Sequence, residues 1–74
     1  MEHFKWDVYH TRLFMVRNGR EYRLYPYTHR ENEFERGFKY RLCEEWQFKE
    51  DEFRITEICK VSSIKEAEIL VSTF

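Results

Sequence analysis

The sequence of 74 residues has little glycine, proline or cysteine: two, one and two residues, respectively. No stretch approaches the roughly 20 apolar residues that a helix needs to cross a bilayer. Two cysteines do not form the disulfide framework of a small secreted domain, and residues 1–7 lack the basic start and apolar run of a signal peptide. We therefore expect a cytoplasmic protein with reduced cysteines and no membrane partner.

The residue patterns of known active sites and metal sites are also missing. Two distant glycines do not make a phosphate-binding loop, and neither a GxSxG elbow nor an HExxH helix occurs. The three histidines are scattered singly, and Cys43 and Cys59 lack CxxC spacing. The sequence thus predicts a non-enzymatic protein with no catalytic residues, no cofactor and no metal.

Aromatic and charged residues are abundant, at 19% and 36% of the chain. A length of 74 residues fits one domain, and so short a chain needs large side chains to build a core. Seven Phe, five Tyr and two Trp supply them, and this content is too high for a disordered segment. We predict a single small domain over residues 1–74.

The dipeptide Asn18-Gly19 predicts a first hairpin, because both residues tolerate the positive φ that a two-residue type I′ turn requires. The flanking segments are rich in strand-forming residues. In the resulting register one face carries Leu13, Met15, Tyr22 and Leu24, and the other carries Phe14, Val16, Tyr25 and Tyr27. We assign the first face, the more aliphatic one, to the core, which leaves Tyr25 and Tyr27 exposed.

A second hairpin is predicted from two segments in which apolar and polar residues alternate. The apolar positions are Phe38, Tyr40, Leu42, Trp46 and Phe48 before the Glu50-Asp51 turn, and Phe53, Ile55, Cys59 and Val61 after it. These two stripes meet in one register, which opposes Trp46 to Ile55 and Leu42 to Cys59. That register places Cys43 and Cys59 on opposite faces, where they can neither form a disulfide nor share a zinc ion.

Two carboxylates, Glu44 and Glu57, interrupt the apolar stripe and face each other in this register. Ionised carboxylates in opposite positions repel each other, and burying either one without a partner costs free energy. Three arrangements would resolve the conflict. A β-bulge could turn one carboxylate outward, or Arg12 or Arg23 could lie between them. Alternatively, the pair could be functional, by accepting a partner's cation or by holding a raised pKa.

Two segments have the spacing of a helix capping box. Ser63-Ile64-Lys65-Glu66 begins an apolar stripe and predicts a C-terminal helix on one face of the sheet, although the tail from Ile69 could instead form a fifth edge strand. Thr28-His29-Arg30-Glu31, followed by Gly37, predicts either a short helix or a structured loop between the hairpins. The predicted fold class is α+β: a four-stranded antiparallel sheet of two hairpins with a C-terminal helix, in the order ββαββα where the short helix forms.

One helix cannot cover all the aromatic side chains of such a sheet, so we expect an uncovered face that binds a partner. Tyr and Arg alternate near the first hairpin, a mixture typical of protein hot spots and also of single-stranded nucleic-acid sites. The predicted partner-binding residues are Arg12, Arg23, Tyr25, Tyr27 and Arg30. Since Pro26 cannot donate a ladder hydrogen bond, this stretch is expected at a sheet edge or just beyond it.

A net charge of -1 favours a protein partner, or a second copy of the chain as a homodimer, over nucleic acid. The leading hypothesis is a binding module that modulates or inhibits a larger protein. The small size would suit a phage accessory protein that inhibits a host enzyme or defence complex. The alternative is a small nucleic-acid-binding domain that uses the Tyr/Arg-rich first hairpin.

Overall fold

The computed structural model describes residues 3–74, apart from the side chains of residues 47–49. Its elements are β1 (Lys5–Trp6), β2 (Leu13–Arg17), β3 (Arg20–Pro26), α1 (Asn32–Glu35), β4 (Tyr40–Lys49), β5 (Glu52–Val61) and α2 (Ile64–Ser72). The strands form one antiparallel sheet in the order β1-β2-β3-β4-β5. The α+β class is confirmed, but the sheet has five strands instead of the predicted four.

The additional strand, β1, pairs with β2 through Lys5 opposite Phe14 and Trp6 opposite Leu13. Two residues are too few to show the alternation by which a strand is recognised in a sequence. The adjacent Phe4 is buried in the core, and its backbone N–H donates a hydrogen bond of 2.9 Å to Glu68 Oε2 on α2. Residues 4–6 are therefore held by the core, by β2 and by the C-terminal helix.

The first hairpin has the predicted register, with Leu13 opposite Leu24 and Met15 opposite Tyr22. Asn18 and Gly19 have φ of 52° and 76°, the left-handed conformation that the turn requires. The predicted core assignment is also confirmed. The buried cluster consists of Phe4, Leu13, Met15, Tyr22, Leu24, Leu42, Val61, Ala67 and Val71.

The second hairpin follows the predicted register only at one end, where Leu42 lies opposite Cys59. The next pair is Cys43 with Glu57, so Ile58 is an extra residue in β5 and forms a β-bulge. Beyond the bulge Trp46 lies opposite Arg54, and the predicted pairing of Trp46 with Ile55 is wrong. The residues of β5 before the bulge consequently change faces relative to the prediction. A further shift near the turn places Phe53 opposite Gln47 rather than Phe48.

The C-terminal helix α2 begins as its capping box predicts, and the alternative edge strand over the tail does not form. Ser63 Oγ accepts a hydrogen bond of 3.1 Å from the backbone N–H of Glu66. The Glu66 carboxylate in turn accepts from the backbone N–H and the hydroxyl of Ser62, at 2.8 and 2.6 Å. Ala67 and Val71 of α2 are buried against the sheet, so the helix covers one of its two faces.

We expect Ser63→Ala to lower the free energy of unfolding by about 1 kcal/mol, because it removes the acceptor for a helix N-terminal N–H. Thermal or urea unfolding of the two proteins measures this difference. Ser72→Ala, at the other end of the same helix, is the control and should change stability less. Equal effects of the two substitutions would contradict the assigned role of the cap.

The connection between the hairpins forms only a single helical turn, α1, which starts four residues after Thr28. Thr28 therefore does not cap the helix; its hydroxyl lies 3.5 Å from the Glu31 carboxylate instead. Gly37, with φ of 96°, follows the helix end. The N–H of Gly37 donates to Phe34 O, and that of Phe38 donates to Glu33 O, as in a Schellman motif. Among the described residues, no helix is long and apolar enough to cross a membrane.

Candidate functional site

The face of the sheet opposite α2, hereafter the open face, is the candidate functional site. Alternation along the strands and their register place the following residues on it: Phe14, Val16, Glu21, Arg23, Tyr25, Arg41, Cys43, Glu45, Phe53, Ile55 and Glu57. Phe14, Val16, Phe53 and Ile55 are 38%, 54%, 61% and 52% exposed. Large apolar side chains therefore reach solvent from the second strand and from the last strand of this face.

Between these apolar positions lies a row of ion pairs centred on Arg23. Its Nε and Nη2 donate to Glu21 Oε2 at 3.0 and 2.8 Å, and Nη2 also contacts the carboxylate of Glu45 on β4. The side chains of Arg23 and Glu45 are only 18% and 12% exposed. On one flank of the row, Arg12 Nε lies 3.6 Å from Asp7 Oδ2.

Glu21 and Glu45 are close enough to influence each other's ionisation. Burial raises the pKa of the Glu45 carboxyl, and a hydrogen bond with Glu21 raises it further. The same hydrogen bond lowers the pKa of Glu21, and the Arg23 guanidinium adds to this effect. The Arg23 cation is therefore enclosed by two acidic groups, of which Glu21 is the more readily ionised.

Three open grooves run across the part of this face that the structure describes. The largest, of about 650 Å³, is lined by Gly19, Glu21, Arg23, Glu45, Trp46 and Phe53. A groove of about 200 Å³ shares Glu21 and Arg23 with the largest one and extends to Phe14 and Arg12. A third, of about 370 Å³, is lined by Tyr25, Arg41, Cys43, Ile55 and Glu57. Each groove is lined by at least one aromatic and one arginine side chain, the residue types that are enriched in protein–protein interfaces.

Three of the five predicted binding residues, Arg12, Arg23 and Tyr25, line these grooves. Tyr25 is half-buried rather than exposed as predicted, and the Arg41 guanidinium lies 5.3 Å from the centre of its ring. Tyr27 is also half-buried, and burial raises its pKa, with the nearby Glu57 charge adding to the effect. Arg30 is exposed in the turn after β3 and lines none of the three grooves.

The expectation that Pro26 marks a sheet edge is wrong for the strand as a whole, since β3 is the central strand. Pro26 is nevertheless accommodated, because the β2 pairing stops at Leu13 opposite Leu24. At Pro26 the strand has a register partner only on the β4 side, where it lies opposite Tyr40. The missing N–H is therefore tolerated at the end of a central strand.

The predicted facing pair of Glu44 and Glu57 does not form, because the bulge at Ile58 places Thr56 opposite Glu44. Of the three arrangements left open by the sequence, the structure has the β-bulge. Glu44 accepts a hydrogen bond of 3.2 Å from Arg20 Nη1 on the helix-covered face. Glu57 lies on the open face, 3.9 Å from Arg41 Nε.

Arg23 is instead approached by the carboxylates of Glu21 and Glu45, and the sequence did not predict the contact with Glu45. The pairing of β3 with β4 brings Glu21 opposite Glu45, and this contact joins the two hairpins. Each hairpin has its own turn and stripe in the sequence, but no turn residue sets the register between them. The sequence also did not predict that Phe53 and Ile55 are exposed on the open face. The bulge at Ile58 moves them there, and no turn residue marks the bulge in the sequence.

The two cysteines lie on opposite faces of the sheet, as the sequence predicts, since Leu42 does pair with Cys59. Cys43 is buried on the open-face side, and Cys59 packs against the core. Burial raises the pKa of both thiols, which disfavours the reactive thiolate. Among the residues that the structure describes, no group of three or more His, Cys, Asp or Glu side chains is placed to hold a metal ion.

Comparison with protein-family models, with curated proteins and with solved structures gives no match for this chain.

Proposed function

We propose that this chain is a non-enzymatic protein-binding module and that its open face is the binding surface. The observation that supports this proposal is the set of exposed apolar side chains, Phe14, Val16, Phe53 and Ile55, on the face that α2 leaves uncovered. Exposed apolar groups that share one face mark interaction sites more often than scattered ones do. Removing them from water is a favourable term for association with another protein.

The ion pairs of the open face favour a protein partner over nucleic acid. Binding to a nucleic acid derives most of its affinity from Lys and Arg side chains that neutralise phosphates. Here Arg23 is held by two carboxylates, Arg12 lies beside Asp7, and Arg41 lies beside Glu57. Releasing these arginines to phosphates would leave the acidic partners uncompensated, and the same carboxylates would repel the phosphate backbone.

A domain that binds through one face acts on its partner by covering part of the partner's surface. We therefore propose that the chain modulates or inhibits a larger protein, and the size of the domain suits a mobile-element inhibitor of a host enzyme or defence complex. The Arg23 ion-pair row fixes the polar part of the surface before binding. Groups that are already ordered lose less conformational entropy when a complex forms.

We expect Phe14→Ala and Phe53→Ala each to weaken partner binding by about tenfold, the size of a modest hot-spot contribution. Both side chains are exposed, so their truncation should change the melting temperature little. The partner is first captured from a cell lysate with the tagged chain, and its dissociation constant is then measured by calorimetry or interferometry for each variant.

Ile69→Ala is the matched control, since Ile69 is 51% exposed but belongs to α2 on the other side of the sheet. This substitution should leave the dissociation constant unchanged. If Ile69→Ala weakened binding while Phe14→Ala and Phe53→Ala did not, the helix side would be the binding surface. Tight, salt-dependent binding of random-sequence DNA or RNA to the wild-type chain would favour the nucleic-acid alternative.

A further inference from the structure

The outer strand β5 also has a free backbone edge, which partner binding by the open face does not use. It is ten residues long, and all of its residues from 52 to 58 are exposed. An edge strand of this length presents unpaired backbone N–H and C=O groups, and folded proteins commonly shorten such an edge or protect it with proline, charged side chains or a β-bulge. The opposite edge, β1, has only two residues. Before the bulge, β5 contains neither proline nor lysine, although Glu52, Arg54 and Glu57 are charged. Phe53 and Ile55 are among its exposed side chains.

We propose that this edge pairs with the same edge of a second copy of the chain, antiparallel and around a two-fold axis at Ile55. The inference goes beyond the proposed function, because it concerns the chain alone. Two-fold symmetry gives both copies the same interface, and antiparallel pairing satisfies the free backbone groups of both edges at once.

We placed the axis by comparing the residues of β5 at which it could lie. Each position of the axis would bring a different set of side chains opposite each other. The bulge at Ile58 interrupts the ladder, which confines regular pairing to the segment before it. An axis at Arg54 would oppose two guanidinium groups. An axis at Phe53 would be close to the Glu50-Asp51 turn and leave few residues to pair, and one at Thr56 would place Arg54 opposite the bulge.

An axis at Ile55 avoids these conflicts. It places the two Ile55 side chains together on the open-face side and opposes each Arg54 to Thr56 of the second copy. Phe53 then lies opposite Glu57, whose carboxylate reaches solvent beside the ring. No like charges are directly opposed between residues 53 and 57, and apolar cross-strand pairs stabilise such a ladder.

This pairing would join the two sheets into one, with both α2 helices on the same side. The two open faces would also become continuous, with Phe53 and Ile55 of each copy at their centre. The binding surface proposed above would thereby double in area, and a partner with two equivalent sites would bind with increased avidity.

The first test is the mass of the purified chain in solution, by light scattering or sedimentation over a concentration series. The chain has a mass of 9.4 kDa, and we expect a species of twice this mass that dissociates on dilution. Ile55→Lys places two ammonium groups opposite each other at the axis and should weaken dimerisation by about tenfold or more. Val16→Lys is the matched control: Val16 and Ile55 are 54% and 52% exposed on the same face, but Val16 belongs to the inner strand β2.

A second test uses cross-linking. Ile55→Cys places two thiols across the axis and should give a disulfide-linked dimer under mild oxidation, whereas Val16→Cys and the wild-type chain should not. A wild-type chain that stays monomeric throughout the concentration series would overturn the proposal. So would equal dimerisation of Ile55→Lys and Val16→Lys, or equal cross-linking of the two cysteine variants. Because these measurements need no partner, their failure would leave the proposed function of the open face unaffected.

Discussion

Replacing Arg23 with methionine is expected to lower the free energy of unfolding by about 2–3 kcal/mol at neutral pH. The substitution keeps a side chain of similar length but removes the cation that lies between Glu21 and Glu45. Removing one partner of a largely buried ion pair leaves the remaining charges uncompensated, and here two carboxylates would remain beside each other. The measurement is urea unfolding of both proteins, monitored by tryptophan fluorescence or circular dichroism.

The same variant has a predicted pH dependence. Without Arg23, the two adjacent carboxylates would have raised pKa values in the folded state, so their ionisation would oppose folding. Protonation removes that repulsion. The stability difference between wild type and variant should therefore shrink as the pH falls through the carboxyl range.

A double substitution provides the control for the Arg23 prediction. Adding Glu45→Gln to Arg23→Met removes one of the two uncompensated charges and should restore part of the lost stability. An Arg23→Met variant with wild-type stability at neutral pH would contradict the role of Arg23 as the bridge between the hairpins. That result would instead agree with the prediction from the sequence that Arg23 is available to contact a binding partner.

Leu42→Ala is expected to lower the free energy of unfolding by about 3 kcal/mol. Leu42 is completely buried in β4, opposite Leu24 on one side and Cys59 on the other. Its truncation leaves a cavity beneath α2, in a sheet whose hydrogen-bonded neighbours resist collapse. Since small domains have total stabilities of about 5–15 kcal/mol, a loss of this size should lower the melting temperature by more than about 10 °C.

Val16→Ala is the control for the core prediction, because it shortens an exposed side chain on the opposite face of the sheet. It should change the free energy of unfolding by less than about 0.5 kcal/mol. Similar losses for Leu42→Ala and Val16→Ala would mean that the two faces of the sheet are equally buried. That result would contradict the assignment of Leu42 to the buried core and of Val16 to the exposed face.

Local signals in the sequence were sufficient for the first hairpin and for α2. The Asn18-Gly19 turn determined the register, and the aliphatic face of the hairpin was correctly assigned to the core. The capping box at Ser63 marked the start of α2. In each case the residues that determine the structure lie within a few positions of one another in the chain. The local sequence pattern therefore predicts the same structure that the folded chain adopts.

The bulge and the candidate site depend on contacts that the sequence does not display. Strict alternation gave the wrong register for β5 before Ile58. Phe53 and Ile55 continue the spacing of Cys59 and Val61 in the sequence, but the bulge places them on the other face. The predicted repulsion between the facing carboxylates of Glu44 and Glu57 did indicate that a regular register would be unfavourable. A β-bulge was one of the three arrangements that could relieve it. The Arg23 ion-pair row depends on β3 pairing with β4, a contact between the hairpins.

The measurement that tests the central claim most directly is site-specific photo-cross-linking to the captured partner. A photoreactive amino acid is introduced at Val16 on the open face or at Ile69 on α2, positions that are 54% and 51% exposed. If the open face is the binding surface, the position of Val16 should cross-link to the partner in high yield, and that of Ile69 should not. Cross-linking from the position of Ile69 alone would place the partner on the helix and contradict the account.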